Sequence, residues 1–230
     1  MNFKVIALTI GTLFLAACAA PQISLSTQTQ TSIDQIEGVL VIRQTGLDVT
    51  VQNTNPGNTG LLGALIVAAI DSSRRSSAEE KATPILEELK DYDFRSVMLN
   101  EASEALRKTE NNKIAIPLRS DNVGTEPSLR IAFDKSAASA LLVWEVKYRM
   151  ESGNLLVDAT VVMYPKAPAL KQYRAKPDEA NPLAEGNAIY RKSFSYTQQA
   201  VSANTVKDGL TTAAKNLARQ LAADVVHGRS

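Results

Sequence analysis

Few residues in this chain could do chemistry, and the one with a defined setting is its only cysteine. Cys18 follows Leu15-Ala16-Ala17 at the end of an apolar, uncharged run that begins after Lys4. A thiol can be alkylated or acylated, and small residues ahead of it offer an extended chain to a peptidase. The only histidine, His227, stands beside the C-terminus, where chain ends fray, a poor place for a general base. There is no HExxH, no pair of Cys or His at metal-ligand spacing, no Walker A loop and no GxSxG. Serine and lysine could meet in space as a dyad, but loops and leader account better for the many serines. No catalytic residue, no metal site and no cofactor is therefore expected. Arg74-Arg75 reads as a helix cap or a lipid or carboxylate contact, and Glu79-Glu80 and Glu87-Glu88 as exposed helix faces. Tyr190, Phe194 and Tyr196, with Trp144 and Tyr148, fall on common strand faces. Such aromatics serve either a core or a carbohydrate- or peptide-binding surface.

Lys4, the apolar run and Leu15-Ala16-Ala17-Cys18 together resemble a bacterial lipoprotein signal with its lipobox. The run is shorter than the roughly 20 residues a membrane span needs. The resemblance implies that residues 1–17 are a signal peptide cleaved between Ala17 and Cys18, and that Cys18 carries acyl chains such as palmitate. Two or three chains anchor stably where one does not, each buried methylene contributing roughly 0.8 kcal/mol. In enteric members of that class Asp after the cysteine favours the inner membrane. Here Ala19 follows, which implies the outer membrane, on its periplasmic face.

Cleavage would remove one Lys from 25 basic side chains and none from 24 acidic ones, leaving a balanced chain. Net charge thus favours neither nucleic acid nor an anionic bilayer surface. The remaining length suits a single domain. With one Cys there is no disulfide, so a hydrophobic core must carry the stability.

The elements that must position any site follow from periodicity. Residues 18–36, rich in Ser, Thr and Gln, are expected to be a flexible tether, and 37–230 a single domain. Gly38–Gln44 and Asp48–Gln52 read as a strand pair or one bent strand, and Asn53–Thr59 as a turn. A capping box at Ser77 and the Thr83-Pro84 pair start a helix to about Asp91. Phe94, Val97, Met98, Ala102, Ala105 and Leu106 form one apolar stripe of a further helix, ended at Asn111-Asn112. Lys113–Leu118 is expected as a short strand whose Pro117 places it at an edge or a strand end. Strict alternation over Ala140–Pro165, with a turn at Ser152-Gly153-Asn154, marks a hairpin, and Ile189–Gln198 a third meander strand. The intervening 166–187 reads as a functional or mobile connection. Val206, Leu210, Ala213, Ala214, Leu217, Leu221 and Val225 form the stripe of a terminal helix capped by Ser202 or Asn204. The fold class is α+β: a mainly antiparallel sheet with helices packed on one face, preceded by the tether. In that order and in its lipobox the chain looks like small periplasmic lipoproteins such as the curli-secretion lipoprotein.

Gly60–Ile70 contains no charge and is apolar on every side. A helix of that kind must be buried in the domain core, which is the expected place, or inserted or in an interface, a strand being the remaining reading, and at about 16 Å it is too short to span. Leu61, Leu62, Leu65, Ile66 and Ile70 are its candidate interface or membrane-contact residues. The expected role is a lipid-anchored, non-enzymatic binding or assembly component of the envelope. Its partners would be membrane lipid through Cys18 and a periplasmic or outer-membrane protein, with no nucleic acid. The alternatives are an oligomeric or pore-forming secretion lipoprotein using residues 60–70, and a lipid-anchored envelope hydrolase.

Overall fold

A computed structural model describes residues 21–50, 83–107, 116–151, 153–200 and 202–227. The lipobox, the Asn53–Thr59 turn, the 60–70 segment, Arg74-Arg75 and the Ser77 capping box lie outside those residues. In chain order the elements are α1 (Thr27–Thr31), β1 (Ile36–Val41), β2 (Asp48–Thr50), α2 (83–89), α3 (Phe94–Arg107), β3 (Leu118–Asp121), α4 (Glu126–Lys135), β4 (Ala140–Glu151), β5 (Asn154–Pro165), α5 (Pro168–Lys171), β6 (Tyr190–Gln199) and α6 (Ala203–His227). The chain is α+β.

One sheet runs β3-β1-β4-β5-β6, with β2 also on β4. The β4–β5–β6 meander is antiparallel, Val143 facing Val162 and Val162 facing Arg191, while β1, β2 and β3 join in parallel. Alternation in β4 and β5 sends Leu142, Trp144, Val146, Tyr148, Val157, Val161 and Met163 to one face, where all are buried. The two amphipathic helices cover that face. From α3 come Phe94, Met98, Ala102 and Leu106, and from α6 Val206, Leu210, Leu217 and Leu221, all within one apolar cluster. The expected stripes are thus in place, with Val97 and Ala105 at their margin. Caps hold the helix starts. Ser96 donates from its N–H (3.1 Å) and its hydroxyl (2.5 Å) to Asp93, and Ser202 exchanges bonds with Thr205.

The aromatics expected as core or binding surface belong to the core. Trp144 and Tyr190 are fully buried, Tyr148 packs edge-on to Phe94 with centroids 4.8 Å apart, and Phe194 and Tyr196 lie against the same cluster.

Four further expectations change. Residues 21–36 are not a free tether: Ile23 bridges to Arg191, and Leu25, Thr29 and Ile33 are buried, because the open edge and underside of the meander give their few apolar groups somewhere to go. The gap between β1 and β2 is an excursion within one edge of β4. Val41 and Asp48 are seven residues apart, but their partners Glu145 and Arg149 only four. The Gln44 side-chain amide fills the break, accepting from the Tyr148 N–H at 2.9 Å and donating to its carbonyl at 2.7 Å. The edge strand begins at Leu118, just after Pro117, whose carbonyl still accepts from Gly38.

Helices also occupy both faces of the sheet. The unexpected α4, capped by Thr125 and opened by Pro127, lays Ala132 and Phe133 over Val39, Val41, Leu141 and Val143 to make a second, smaller core. It is joined to β3 by a turn in which Asp121 accepts from the N–H groups of Val123 and Gly124 and from Ser128 Oγ (2.7 Å). Gly124 has φ 55°, and a Cβ there would stand 2.2 Å from Val41 Cγ1. Lys166 Nζ caps the far end of α4, donating to the carbonyls of Phe133 and Ser136.

Candidate functional site: a hydroxyl-lined hollow on the second face

Beyond α4 and the 166–187 connection no element among the described residues covers the second sheet face, and alternation makes it polar. Glu145, Lys147 and Arg149 of β4 lie beside Thr160, Asp158 and Leu156 of β5, and these beside Ser193, Ser195 and Thr197 of β6. Arg149 pairs with Asp158 at 2.6 Å, a hydrogen bond that raises its already high pKa, and Glu145 lies between Arg43 (3.2 Å) and Lys147 (3.4 Å). Where this polar field meets the α4 core, an open hollow of about 480 Å³ is lined by Thr160, Val162, Tyr164, Leu183, Glu185, Arg191 and Ser193.

Arg191 sits at its centre of charge. Its backbone N–H and carbonyl exchange bonds with Ile23, both at 2.8 Å, so the residue is fixed in β6 from both sides. Its side chain is only 8% exposed. Nη1 pairs with Glu185 Oε1, whereas the buried Nε has no partner among the described residues. Burial raises the Tyr164 phenol pKa; the Arg191 charge opposes the shift and Glu185 adds to it. The hydroxyls of Thr160, Tyr164 and Ser193 have no partner among the described residues.

The connection 166–187, expected to be functional or mobile, is built around a buried amide. Asn187 Nδ2 donates to the carbonyls of Asp178 (2.6 Å) and Asn181 (2.8 Å), and its Oδ1 accepts from the Asp178 N–H (3.0 Å). Gly186 packs so closely that a Cβ would lie 2.2 Å from the Lys176 carbonyl oxygen. The short helical turn Glu185–Asn187 is thereby fixed, and with it Glu185 against Arg191. Asn181 also ties the loop to α4, donating to Glu126 at 2.9 Å.

No family model matches the chain, and no curated protein does. Among solved structures it is similar to a Xanthomonas campestris protein of the DUF330 family: 8% identity, TM-score 0.38, covering 90% of this chain and 91% of that one. It is also similar to the PelC dodecamer of Paraburkholderia phytofirmans, at 13% identity and TM-score 0.36 over 91% and 97% of the two chains. The LpoB C-terminal domain of Salmonella enterica follows at 12% and 0.20, over 72% and 84%. Scores of this size fix neither a family nor a role.

Of the residues singled out in the sequence, Ala17, Cys18, Leu61, Leu62, Leu65, Ile66 and Ile70 fall outside the described residues. His227 ends α6. Among the described residues no cluster of three His, Cys, Asp or Glu could hold a metal ion, and no helix is long and apolar enough to cross a membrane. The residues of the hollow were missed. Alternation places Thr160, Val162, Tyr164, Arg191 and Ser193 on the outer face, but only the strand register brings β5 and β6 together there, and nothing local to Glu185 points to Arg191.

Proposed function

We propose that the protein is a lipid-anchored, non-enzymatic binding or assembly component of the bacterial envelope. Acylated Cys18 would hold it at the periplasmic face of the outer membrane, and the α+β domain would meet a periplasmic or outer-membrane protein partner. The observation that carries the binding role is the outer edge of β6. Ile23 pairs with Arg191, and the Ser193 N–H donates to Gln22 Oε1, so alternate residues of β6 direct their N–H and C=O groups outward. Beyond Ser193 nothing among the described residues pairs with that edge, which leaves Ser195, Thr197 and Gln199 open to an added strand. The anchor rests on the lipobox.

A photo-crosslinking side chain at Ser195 should capture an envelope protein in cells, and Thr197→Pro should abolish capture while leaving the domain folded, because it removes only an outward N–H. A folded Thr197→Pro protein that still crosslinks would overturn strand addition. Cys18→Ser should block incorporation of labelled palmitate, and absence of label from the natural chain would end the anchor reading.

The all-apolar run 60–70 favours a second reading, an oligomeric or pore-forming lipoprotein. There Leu65→Asp would leave a folded monomer that no longer assembles; in the first reading it would unfold the domain. Turnover of cell-wall or lipid polymer by the full chain would favour the hydrolase instead.

A further inference from the structure

We propose that the hollow binds an acidic sugar, a carboxylate carried on a hydroxylated ring, with Arg191 as its anion-binding residue and Glu185 as the group it displaces. This deepens the binding-module reading and rests on it. A buried charged donor without a partner is costly, and buried donors are otherwise nearly always satisfied. Arg191, one of the lining residues and 8% exposed, keeps its Nε in that state. A guanidinium engages carboxylates best through two parallel N–H groups, and Glu185 uses only Nη1, so a carboxylate taking its place can bridge Nη1 and Nη2. Glu185 is itself 64% exposed, so it returns to water readily when another carboxylate takes its place.

The site holds one guanidinium and one carboxylate, so exchanging Glu185 for a monoanion preserves its charge balance. A dianion, the form phosphate takes above its second ionisation, does not. The neutral lining fits a sugar ring: Thr160, Tyr164 and Ser193 offer three unclaimed hydroxyls, and Val162, Leu183 and the Tyr164 ring offer apolar surface to its C–H face. The volume of about 480 Å³ lies within the range of small-ligand sites.

Calorimetric titration of the detergent-solubilised full chain tests this with galacturonate and N-acetylmuramate as probes, and galactose and phosphate as controls. Saturable binding of either acidic sugar is expected, the tighter one identifying the polymer class, with galactose and phosphate at least tenfold weaker. Arg191→Lys should weaken binding about tenfold, because the charge remains but the fork is lost. Glu185→Gln should strengthen it severalfold by removing the competitor. Thr160→Val with Ser193→Ala, both at exposed positions, should weaken it with the fold intact by circular dichroism. Absence of saturable binding, equal binding of galactose or phosphate, or weaker binding by Glu185→Gln would overturn the proposal. Crosslinking from Ser195 does not depend on the hollow, so its persistence would separate failure here from failure of the binding-module reading.

Discussion

Gln44 shows how one side chain can substitute for backbone. Between β1 and β2 the parallel ladder on β4 lapses, and the Gln44 amide satisfies both polar groups of Tyr148 while also donating to Asp48 at 2.9 Å. An amide is one of the few side-chain groups that presents a donor and an acceptor side by side, as a peptide does. Gln44→Ala should destabilise the protein by about 1–2 kcal/mol, because three bonds are lost, the one to Asp48 exposed, and Tyr148 keeps unpaired backbone groups. The check is a lower urea midpoint with an unchanged slope. Gln44→Glu keeps an acceptor but loses the donor, and should recover only part of the loss. The exposed pairs Arg130–Asp134 (3.3 Å) and Lys90–Glu87 (3.7 Å), by contrast, lie where screening leaves ion pairs little weight.

At the scale of elements, the turn from β3 into α4 combines a left-handed glycine, a hydrogen-bonded aspartate and a capped helix start. Burial, the largest single influence on Asp121, raises its pKa; the bonds from Gly124, Ser128 and Val123 and the Arg119 charge together outweigh it and hold the carboxyl below its usual range. Gly124→Ala introduces a side chain at φ 55° and against Val41, and should cost about 1–3 kcal/mol, seen as a lower melting temperature. This turn and α4 were not legible in the sequence, and the reason is physical. A ten-residue helix that buries only Ala132 and Phe133 carries too little apolar periodicity to stand out, whereas the long stripes of α3 and α6 and the alternation of β4 and β5 stand out at once. Composition misled at residues 21–36 for a related reason. Leu25 and Ile33 are sparse among polar residues and become core only because the meander leaves room for them. The hollow was hidden more deeply, since Arg191 and Glu185 meet through strand register and the fold of a loop held by Asn187.

For the molecule as a whole, most of the phenols sit inside the fold. Burial is the leading cause raising the pKa of Tyr92, Tyr148, Tyr164 and Tyr190, with Tyr148 pushed to about 12 and Tyr190 raised further by its bond to Asp224 (2.8 Å). A phenol whose pKa is higher in the folded state contributes stability that is fully present below its unfolded value near 10 and is lost as pH rises through the folded value. The protein should therefore weaken progressively above about pH 10. Absorbance at 295 nm should show these four tyrosines ionising together with the loss of ellipticity, not before it. Early ionisation of these four in the folded protein would contradict the packing described. The Ile23–Arg191 bridge carries a mechanical consequence. It is antiparallel, and Gln22 continues it toward Ser193, so at Pro21 the chain is heading along the rim of β6. Were Cys18 the anchor proposed above, a pull transmitted from it would enter the fold at that rim. Drawn along the strand, the pull loads both 2.8 Å bonds to Arg191 at once, in shear; drawn outward, it opens them one after the other. The direction of tension on the proposed anchor would thus select between a clamp and a zipper, and the first residue to feel the opening would be the one whose side chain lines the hollow.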